Sequence, residues 1–257
     1  MHPKAVAIFE AERDSMERRP QNDLASWYPL LLATGAPTPR TIIVRARHDL
    51  ERLFDGGPDA TYADGILDDH RAFVARMTKA AEVFGFPCFL RTGHGADKHS
   101  YRRTCRLECA DNIESHVMAL VEWSACASLV SLPTATWAVR EWLDLDAAFT
   151  AFDGLPIATE VRAFIGGGAM RCWHGYWPVT ALTGRTEISD PAWRAHLARA
   201  RRTAEREQKE WRPMVETIAA AFGSWSVDLC RTRKGVWYVT DMARAEDSYH
   251  GPCKRKL

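Results

Sequence analysis

The chain has 257 residues, of which 46% are hydrophobic and 26% charged, a balance typical of a globular protein with one large or two small domains. A formal net charge of +1 gives no overall field to attract nucleic acid, although a local basic groove is compatible with it. No apolar run reaches the roughly 18 residues needed to span a bilayer, and the charged, amphipathic first residues are unlike a signal peptide. We therefore expect a cytoplasmic protein.

The first half of the sequence predicts helices that alternate with short strands. A helix is predicted to about residue 20, two apolar segments follow around Pro37 and Pro39, and TIIVRA is typical of a buried strand. A Gly/Asp-rich connection at 55–65 then leads into HRAFVARMTKAAEVFG, a helix with Gly85 as its C-cap. FPCFLR predicts a strand that enters the polar loop TGHGADKHSYRRT.

Hairpins dominate the second half of the sequence. Residues 111–130 are predicted to be helical, TWAVREWLDLD to be a strand with an acidic end, and ATEVRAFIGGGAMRCWHGYWP to be a hairpin turned at 166–168. A long helical segment opens with Asp190 as N-cap, is interrupted near Pro213 and stops at Gly223. This order favours an α+β fold over a doubly wound parallel sheet.

The next hairpin, WSVDLCRTRKGVWYVTDMA, has one aspartate near the outer end of each arm. If Lys234–Gly235 is a two-residue loop, Asp228 faces Asp241, and the same register pairs Cys230 with Val239. Like charges directly opposite are destabilising, so a divalent cation, an intervening cationic side chain or a protonated carboxyl is needed. The alternative is two solvated aspartates at strand ends.

Two further segments contain residues suited to phosphate binding. In FLRTGHGADKHS a strand delivers Arg91 into a loop with Gly93, Gly95 and Lys98, in which glycines permit close backbone approach and cations match phosphate charge. The alternative is an ordinary exposed loop. In EVRAFI, Arg162 shares a strand face with the glutamate two residues before it, a pattern that is usually a surface ion pair.

Other segments leave binding to adenine, zinc or nucleic acid open. Glu141–Leu143 is suited to backbone hydrogen bonds and apolar cover for a purine, with Asp144 or Asp146 near a ribose; an edge strand with acidic ends is the alternative.

Zinc-type ligands also occur in the polar loop region, at His94, His99, Cys105 and Cys109, but their spacing matches no familiar zinc pattern. The basic segment RAHLARARRTAEREQKEW is more typical of a solvated helix face than of a nucleic-acid-binding patch.

The seven cysteines are predicted to be reduced thiols, because their number is odd and no export signal accompanies them. No local Cys/His or Ser/His/Asp spacing indicates nucleophilic catalysis, although such groups need not be neighbours in sequence.

The order of these motifs resembles the ATP-grasp superfamily. FPCFLRTGHGADKHSYRRTC is similar to stand-alone ATP-grasp proteins of phages and bacteria, and VREWL, EVRAFI, WSVDL and WYVTDMA are similar to segments of the eukaryotic cell-division-cycle ATP-grasp assembly chaperone. The resemblance covers roughly residues 86 to 250. It implies a nucleotide held between two α+β subdomains dominated by antiparallel sheet. The segments it implies are an N-terminal α/β part (1–80), a central part with the phosphate loop (81–135) and a C-terminal part with a magnesium-binding hairpin (136–257).

The resemblance also implies a role for individual residues. Arg91 and Lys98 would contact phosphate groups, and Arg162 would contact the phosphate that is transferred. The implied catalytic residues are Lys98 and Arg162. The implied adenine hinge is Glu141, Trp142 and Leu143, the implied ribose partner is Asp146, and the implied magnesium ligands are Asp228 and Asp241.

One departure from the family pattern concerns the last strand. The family commonly has an acid-x-asparagine pair there, whereas this chain has Ala243 two residues beyond Asp241, and alanine cannot coordinate magnesium. Either Asp247 takes over that duty, or a second metal is weak or missing. Arg40 is expected either to reach the cleft or to form a stabilising ion pair.

The resemblance implies an ATP- and magnesium-dependent ligase, with ATP and Mg²⁺ as cofactors. It would activate a carboxylate as an acylphosphate for attack by an amine or similar nucleophile, on a small molecule, protein or peptide. Two alternatives stay open: an ATP-binding assembly factor that does not ligate, and ATP-dependent phosphotransfer to a macromolecular acceptor. No membrane partner is expected, and a nucleic acid is not favoured.

Overall fold

The computed structural model describes residues 3–47, 50, 66–128, 131–184 and 188–251. The Gly/Asp-rich connection at 55–65 and the basic tail lie outside these residues. The helices are α1 (Pro3–Asn22), α2 (Leu24–Ala33), α3 (Ile66–Phe84), α4 (Tyr101–Thr104), α5 (Ile113–Cys126), α6 (Val179–Leu182), α7 (Trp193–Arg206) and α8 (Gln208–Ala221). The strands are β1 (Thr41–Arg45), β2 (Cys88–Thr92), β3 (Arg106–Leu107), β4 (Thr136–Arg140), β5 (Ala147–Ala151), β6 (Leu155–Ala158), β7 (Glu160–Gly166), β8 (Ala169–Gly175), β9 (Trp225–Arg231) and β10 (Trp237–Arg244).

The chain divides into two compact units. The first comprises the described residues of Met1–Asn22, Ser26–Pro39 and Leu143–Leu257, and the second those of Asp23–Ala25 and Arg40–Trp142. These boundaries differ from the three predicted segments, because β1 and α3 of the predicted N-terminal segment pack with β4 in the second unit. The predicted adenine hinge contains the point where the chain passes from the second unit to the first.

The second unit is a four-stranded antiparallel sheet in the order β1-β4-β2-β3, packed against α3 and α5. Alternation along the strands directs one set of side chains toward the helices. There Trp137 of β4 lies against Phe73 of α3, with ring centroids 5.4 Å apart. Fully burying side chains of this size contributes about 1.5–3 kcal/mol each, so this cluster fixes the position of the sheet.

The first unit has a four-stranded antiparallel sheet in the order β10-β9-β7-β8, with α7 and α8 packed on one face, and a separate β5-β6 hairpin. Val161, Val227 and Leu229 point to the helices and are fully buried with Trp211 of α8. All strand pairs in the described part of the chain are antiparallel and helices accompany both sheets, which confirms the α+β class.

The β9–β10 hairpin confirms the predicted aspartate pair but not the predicted loop. The Thr232 N–H donates to the Val236 carbonyl at 2.9 Å, so the three residues between them, rather than two, form the connection, and Gly235 at its end has φ of +81°. Cys230 therefore faces Tyr238 rather than Val239. A bulge between Val239 and Asp241 then adds one residue to β10, and Asp228 again faces Asp241.

Two other element predictions need correction. The strand predicted over TWAVREWLDLD ends at Arg140, and the next residues lack strand pairing until Leu145. The long helix breaks at Glu207 rather than near Pro213, and Pro213 lies inside α8. The backbone at Glu207 has non-helical angles (φ −92°, ψ 14°), and its carboxylate accepts hydrogen bonds from Arg231 and the Trp237 indole. No helix within the described residues is long and apolar enough to cross a membrane.

Candidate functional site

One face of the first unit's sheet has a continuous row of polar side chains, one from each strand. Strand register places them side by side, and we call this set the charged row: His174, Arg162, Asp228 and Asp241. A neighbouring row on the same face, the second row, is formed by Cys172, Phe164, Ser226 and Ala243. The opposite face packs on α7 and α8, so chemistry-bearing groups are confined to this one.

Arg162 and Asp228 form a bidentate ion pair at the centre of the charged row. Arg162 Nε lies 2.7 Å from Asp228 Oδ1 and Nη2 lies 2.8 Å from Oδ2. The guanidinium also lies 4.7 Å over the ring of Tyr176. Burial acts to lower the pKa of Arg162, but attraction and hydrogen bonds from Asp228 outweigh it, and the pKa is raised. Arg162 therefore stays cationic in a site that is largely closed to solvent.

Asp241 lies directly across from Asp228, so two carboxylates leave adjacent strands on one face. Asp241 Oδ1 accepts a hydrogen bond of 3.0 Å from the Met242 N–H. Magnesium is usually held by one or two carboxylates together with substrate phosphates. Asp228 keeps acceptor lone pairs beyond the two used by Arg162. The donor set of this pair thus fits the magnesium that the sequence resemblance implies.

The structure does not bring Asp247 to this pair. Its carboxylate accepts hydrogen bonds from Arg18 Nε at 2.9 Å and Asn22 Nδ2 at 2.7 Å, both on α1. Asn22 Oδ1 in turn accepts the Arg244 N–H at 2.7 Å. Asp247 therefore fastens α1 to the end of β10. Throughout the described ranges, no three His, Cys, Asp or Glu side chains converge on a common metal position.

In the second unit, Arg91 lies on β2 with only 3% of its surface exposed. Its Nε donates to the Thr92 carbonyl at 3.0 Å. Arg140 of β4 is equally buried and lies on the same sheet face, diagonal to Arg91, because Arg91 pairs with Ala138. The sequence motifs did not single out Arg140. Because successive strand residues point to opposite faces, the core residue Val139 in VREWL could have shown that Arg140 lies on the other face of the sheet.

The polar loop after β2 has a defined shape that explains its glycines. A Cβ at Gly93 would lie 2.7 Å from Asp23 Oδ1 and 2.8 Å from Thr136 Cβ, and a Cβ at Gly95 would lie 2.6 Å from the Trp123 ring. Both glycines are thus required by internal packing, a reason other than the predicted approach to phosphate. Lys98 follows in this loop, with its N–H donated to the Ala96 carbonyl.

The zinc alternative finds no support in the same loop. Cys105 is buried, and its thiol donates a hydrogen bond to the Asp97 carbonyl oxygen, with sulfur and oxygen 3.4 Å apart. Burial raises the pKa of the Cys105 thiol to about 12. In the described part of the chain, no three His, Cys, Asp or Glu side chains of this region come together at a common metal position. All cysteines within the described residues are free thiols.

The predicted adenine hinge is partly engaged by its own unit. The Glu141 carboxylate accepts hydrogen bonds of 2.8 Å from both the backbone N–H and Nε of Arg40, and the Glu141 N–H donates to the Arg40 carbonyl at 3.0 Å. Arg40 thus forms the stabilising ion pair considered above. Trp142 is half-buried, and the Arg106 guanidinium lies 5.2 Å from its ring.

The other predicted nucleotide residues of the first unit also form ion pairs or hydrogen bonds. Asp146 Oδ2 lies 2.8 Å from Arg231 Nη1, and Asp144 Oδ1 lies 3.0 Å from Arg233 Nε. Glu160 Oε1 accepts the Trp177 indole N–H at 2.8 Å, so the glutamate and arginine of EVRAFI point to different partners. Leu143 is half-buried and is the residue at which the chain returns to the first unit.

Comparison with known proteins gives matches of structure without matches of sequence. No protein-family model matches the chain, and no curated protein matches it significantly. Two structures of Cdc123 from Schizosaccharomyces pombe match 89% of this chain and 85% of theirs, with TM-scores of 0.51 and 0.53 and identities of 11% and 12%. The chain therefore shares the fold of Cdc123, which confirms the predicted resemblance at the level of fold.

ATP-grasp enzymes also match, at lower scores. D-alanine–D-alanine ligase from Bacillus anthracis, solved with ATP, matches 87% of this chain and 55% of its own, with a TM-score of 0.43 and 14% identity. Neither a fold assignment nor a residue assignment rests on these matches.

Proposed function

We propose that this protein binds ATP with magnesium and uses it to phosphorylate a carboxylate, in the manner of an ATP-grasp ligase. The observation that supports this most directly is the cross-strand pair of Asp228 and Asp241 beside Arg162. Arg162 already offsets the charge of Asp228, and the two facing carboxylates keep hard oxygen acceptors beyond that ion pair, so a divalent cation bound here would be shared by Asp228 and Asp241.

In the proposed reaction, a substrate carboxylate oxygen attacks the γ-phosphorus of ATP, a P–O bond forms, the bond to the bridging oxygen breaks, and ADP leaves. An amine then attacks the acylphosphate carbonyl, a C–N bond forms, inorganic phosphate leaves and the amine proton passes to solvent. Phosphoryl transfer needs mainly positioning and charge neutralisation. Magnesium on Asp228 and Asp241 would neutralise phosphate charge, and Arg162 would orient the transferred group.

For the second unit we propose, separately, that Arg91 and Lys98 bind phosphate oxygens. Arg91 is a buried cation at the end of a strand, and Lys98 follows it in a loop of fixed shape. Glu141, Trp142 and Leu143 remain the proposed adenine contacts and Asp146 the proposed ribose contact. Their present hydrogen bonds must yield or be shared when a nucleotide binds.

A second candidate is an ATP-binding assembly factor that does not ligate, as the sequence resemblance also implies. The match to Cdc123, over 85% of that chain with TM-scores above 0.5, favours this candidate. The absence of a side-chain ligand at Ala243 agrees with it, because two carboxylates suffice for binding a nucleotide with magnesium.

The two candidates are separated by ADP formation. Purified protein is incubated with ATP, magnesium and a library of carboxylic acids, with and without amines, and ADP is measured. A ligase forms ADP only when the correct acid is present. Saturable ATP binding without ADP under every condition would reject the ligase and favour the assembly factor.

The metal assignment is tested with Asp241→Asn. We expect magnesium to strengthen ATP binding in the wild type and to do so at least about tenfold less in the variant, because one hard anionic ligand is lost. Asp190→Asn is the matched control, since Asp190 lies before α7 and pairs with His196. Unchanged magnesium dependence in Asp241→Asn would remove Asp241 from the site.

A further inference from the structure

Cys172 and His250, far apart in sequence, meet beside the charged row. The distance between Cys172 Sγ and His250 Nε2 is 3.1 Å, short for a hydrogen bond that involves sulfur. Cys172 is buried in the second row, whereas His250 is exposed above it. A thiol in contact with an imidazole nitrogen can pass its proton to that nitrogen, and the thiolate is the nucleophilic form of cysteine.

The imidazole of His250 is held in place by ring contacts. It stacks on Phe164, with centroids 4.0 Å apart and planes inclined by 29°. It also lies 6.2 Å from the ring of His174. Neighbouring backbone contributes further contacts, since Gly251 N–H donates to His174 Nε2 and the Tyr249 carbonyl accepts from Arg162. A nucleophile, a base and groups that orient the base are therefore all present.

The position of this pair relates it to the proposed phosphoryl transfer. Cys172 and His174 lie two residues apart on the same face of β8, and His174 is the direct neighbour of Arg162 across the sheet. Residues two apart on a strand are separated by about 7 Å. An acyl group activated beside Arg162 would thus be generated within one strand repeat of the sulfur.

The other thiols provide contrast. Burial raises the pKa of Cys88 to about 11 and that of Cys105 to about 12, so both remain protonated thiols near neutral pH. Cys109 and Cys126 are exposed. Cys88 and Cys105 thus serve as buried references for Cys172, and Cys109 and Cys126 as exposed ones.

We propose that Cys172 is an acyl-accepting nucleophile and His250 its proton acceptor, so that the protein passes its activated acyl group through a thioester. The sulfur attacks the acylphosphate carbonyl, the C–S bond forms, the C–O bond to phosphate breaks, inorganic phosphate leaves and the thiol proton moves to His250. An amine or another thiol then attacks the thioester carbonyl, a new C–N or C–S bond forms, and the C–S bond to Cys172 breaks. The Cys172 sulfur takes its proton back from His250, and the proton of the incoming group passes to solvent. The source of the acylphosphate rests on the proposed function; the nucleophile does not.

Acetyl phosphate tests the nucleophile without ATP. The full-length protein is incubated with acetyl phosphate, and acetylation at each cysteine is quantified by mass spectrometry, with hydroxylamine used to distinguish thioesters from stable lysine amides. We expect a hydroxylamine-labile acetyl group on Cys172 that forms faster than on Cys109 or Cys126, although both of these are exposed.

Two variants separate the chemistry from the fold. His250→Gln replaces an exposed side chain and is expected to lower the rate of Cys172 acetylation about 100-fold, since general-base assistance typically contributes that much. Cys172→Ser removes the labile acetyl group. Cys126→Ser is the control and should leave acetylation of Cys172 unchanged.

The outcomes distinguish this proposal from the proposed function. Acetylation of Cys172 no faster than that of Cys126, or a rate unchanged by His250→Gln, overturns the thioester proposal even if carboxylate-dependent ADP formation is found. Rapid, His250-dependent acetylation in a protein that never forms ADP would reject the ligase and retain the nucleophile.

Discussion

At the scale of single residues, the centre of the candidate site is the ion pair between Arg162 and Asp228. Their side chains are only 16% and 7% exposed, so each charge depends on the other for compensation. Asp241 differs, because its side chain is less buried and it accepts a hydrogen bond from its neighbouring N–H. The two facing aspartates are therefore chemically alike but energetically distinct.

This difference predicts unequal effects of two matched substitutions on stability. Asp228→Asn leaves the Arg162 charge without its carboxylate in a largely buried site, which typically costs about 3 kcal/mol of unfolding free energy. Asp241→Asn removes one of two facing negative charges and should change stability by less than about 1 kcal/mol. Urea unfolding of both variants measures this. Equal destabilisation would show that Arg162 depends on both carboxylates.

His174 predicts a pH dependence of stability. Burial lowers the pKa of His174 below its ordinary 6.5, and the Nδ1–H faces the Gly175 carbonyl while Nε2 accepts from Gly251 N–H, as a neutral imidazole requires. As pH falls below 6.5, the unfolded chain takes up a proton that the folded chain does not. Stability should therefore fall from that pH toward the lower folded pKa and be unaffected by this group above it.

The variant His174→Gln isolates this contribution. Glutamine retains a donor and an acceptor but does not titrate, so the loss of stability as pH falls below 6.5 should be smaller than in the wild type. Denaturant unfolding at a series of pH values measures the two slopes. Parallel slopes would mean that other groups account for the acid sensitivity.

At the scale of elements, local sequence patterns predicted the strands and their buried faces, whereas irregular turns and bulges were not predicted. Alternation of apolar residues predicted the strands and the aspartate pair, because core-facing residues such as Val227 leave Asp228 on the other face. The three-residue turn and the bulge in β10 were missed, because both leave the same overall pairing of Asp228 with Asp241. Two errors of one residue compensated each other.

The site residues show a similar limit. Arg162 and Asp228 were predicted from separate motifs, yet their ion pair depends on β7 pairing with β9, which no local pattern encodes. The same holds for Cys172 and His250. Asp247 was expected near the metal pair because it is close in sequence, but a turn of 3-10 helix, Ala245–Asp247, places it against Arg18.

The glycine loop gives a prediction at this scale. Gly93→Ala would place a Cβ within 2.7 Å of Asp23 Oδ1, and overpacking of this kind costs about 1–3 kcal/mol. Gly223→Ala is the control, because its Cβ would find its nearest atom at 3.8 Å and its φ is not positive. Thermal unfolding should show a lower midpoint for Gly93→Ala alone. Equal midpoints would show that the loop adjusts without cost.

At the scale of the whole molecule, most of the second unit, Arg40–Trp142, is one continuous insertion in the first unit, and Asp23–Ala25 is a short separate piece of it. The chain enters the long segment at Arg40 and leaves it at Trp142. The entry and exit lie side by side, since the Glu141 N–H donates to the Arg40 carbonyl at 3.0 Å. Adjacent ends are typical of inserted units that can be removed without breaking the remaining one.

The first unit should therefore fold without Arg40–Trp142 when a short Gly/Ser linker joins Pro39 to Leu143. Contacts within the first unit remain. They include the hydrogen bond of 2.8 Å from the Val239 N–H to the Pro37 carbonyl and the ion pair between Asp247 and Arg18. The hydrogen bond from the Leu24 N–H to the Gly93 carbonyl is lost with the removed segment, which costs about 1 kcal/mol.

We expect cooperative urea unfolding of this shortened protein at a lower midpoint than the full chain. Its matched control also lacks residues 3–22, and with them the hydrogen bonds of Arg18 and Asn22 to Asp247. Because those bonds fix the segment after β10, the control should unfold earlier still, and Tyr249 and His250 should become accessible to limited proteolysis first. A broad, non-cooperative transition in the shortened protein itself would show that the sheet of the first unit requires the second unit to fold.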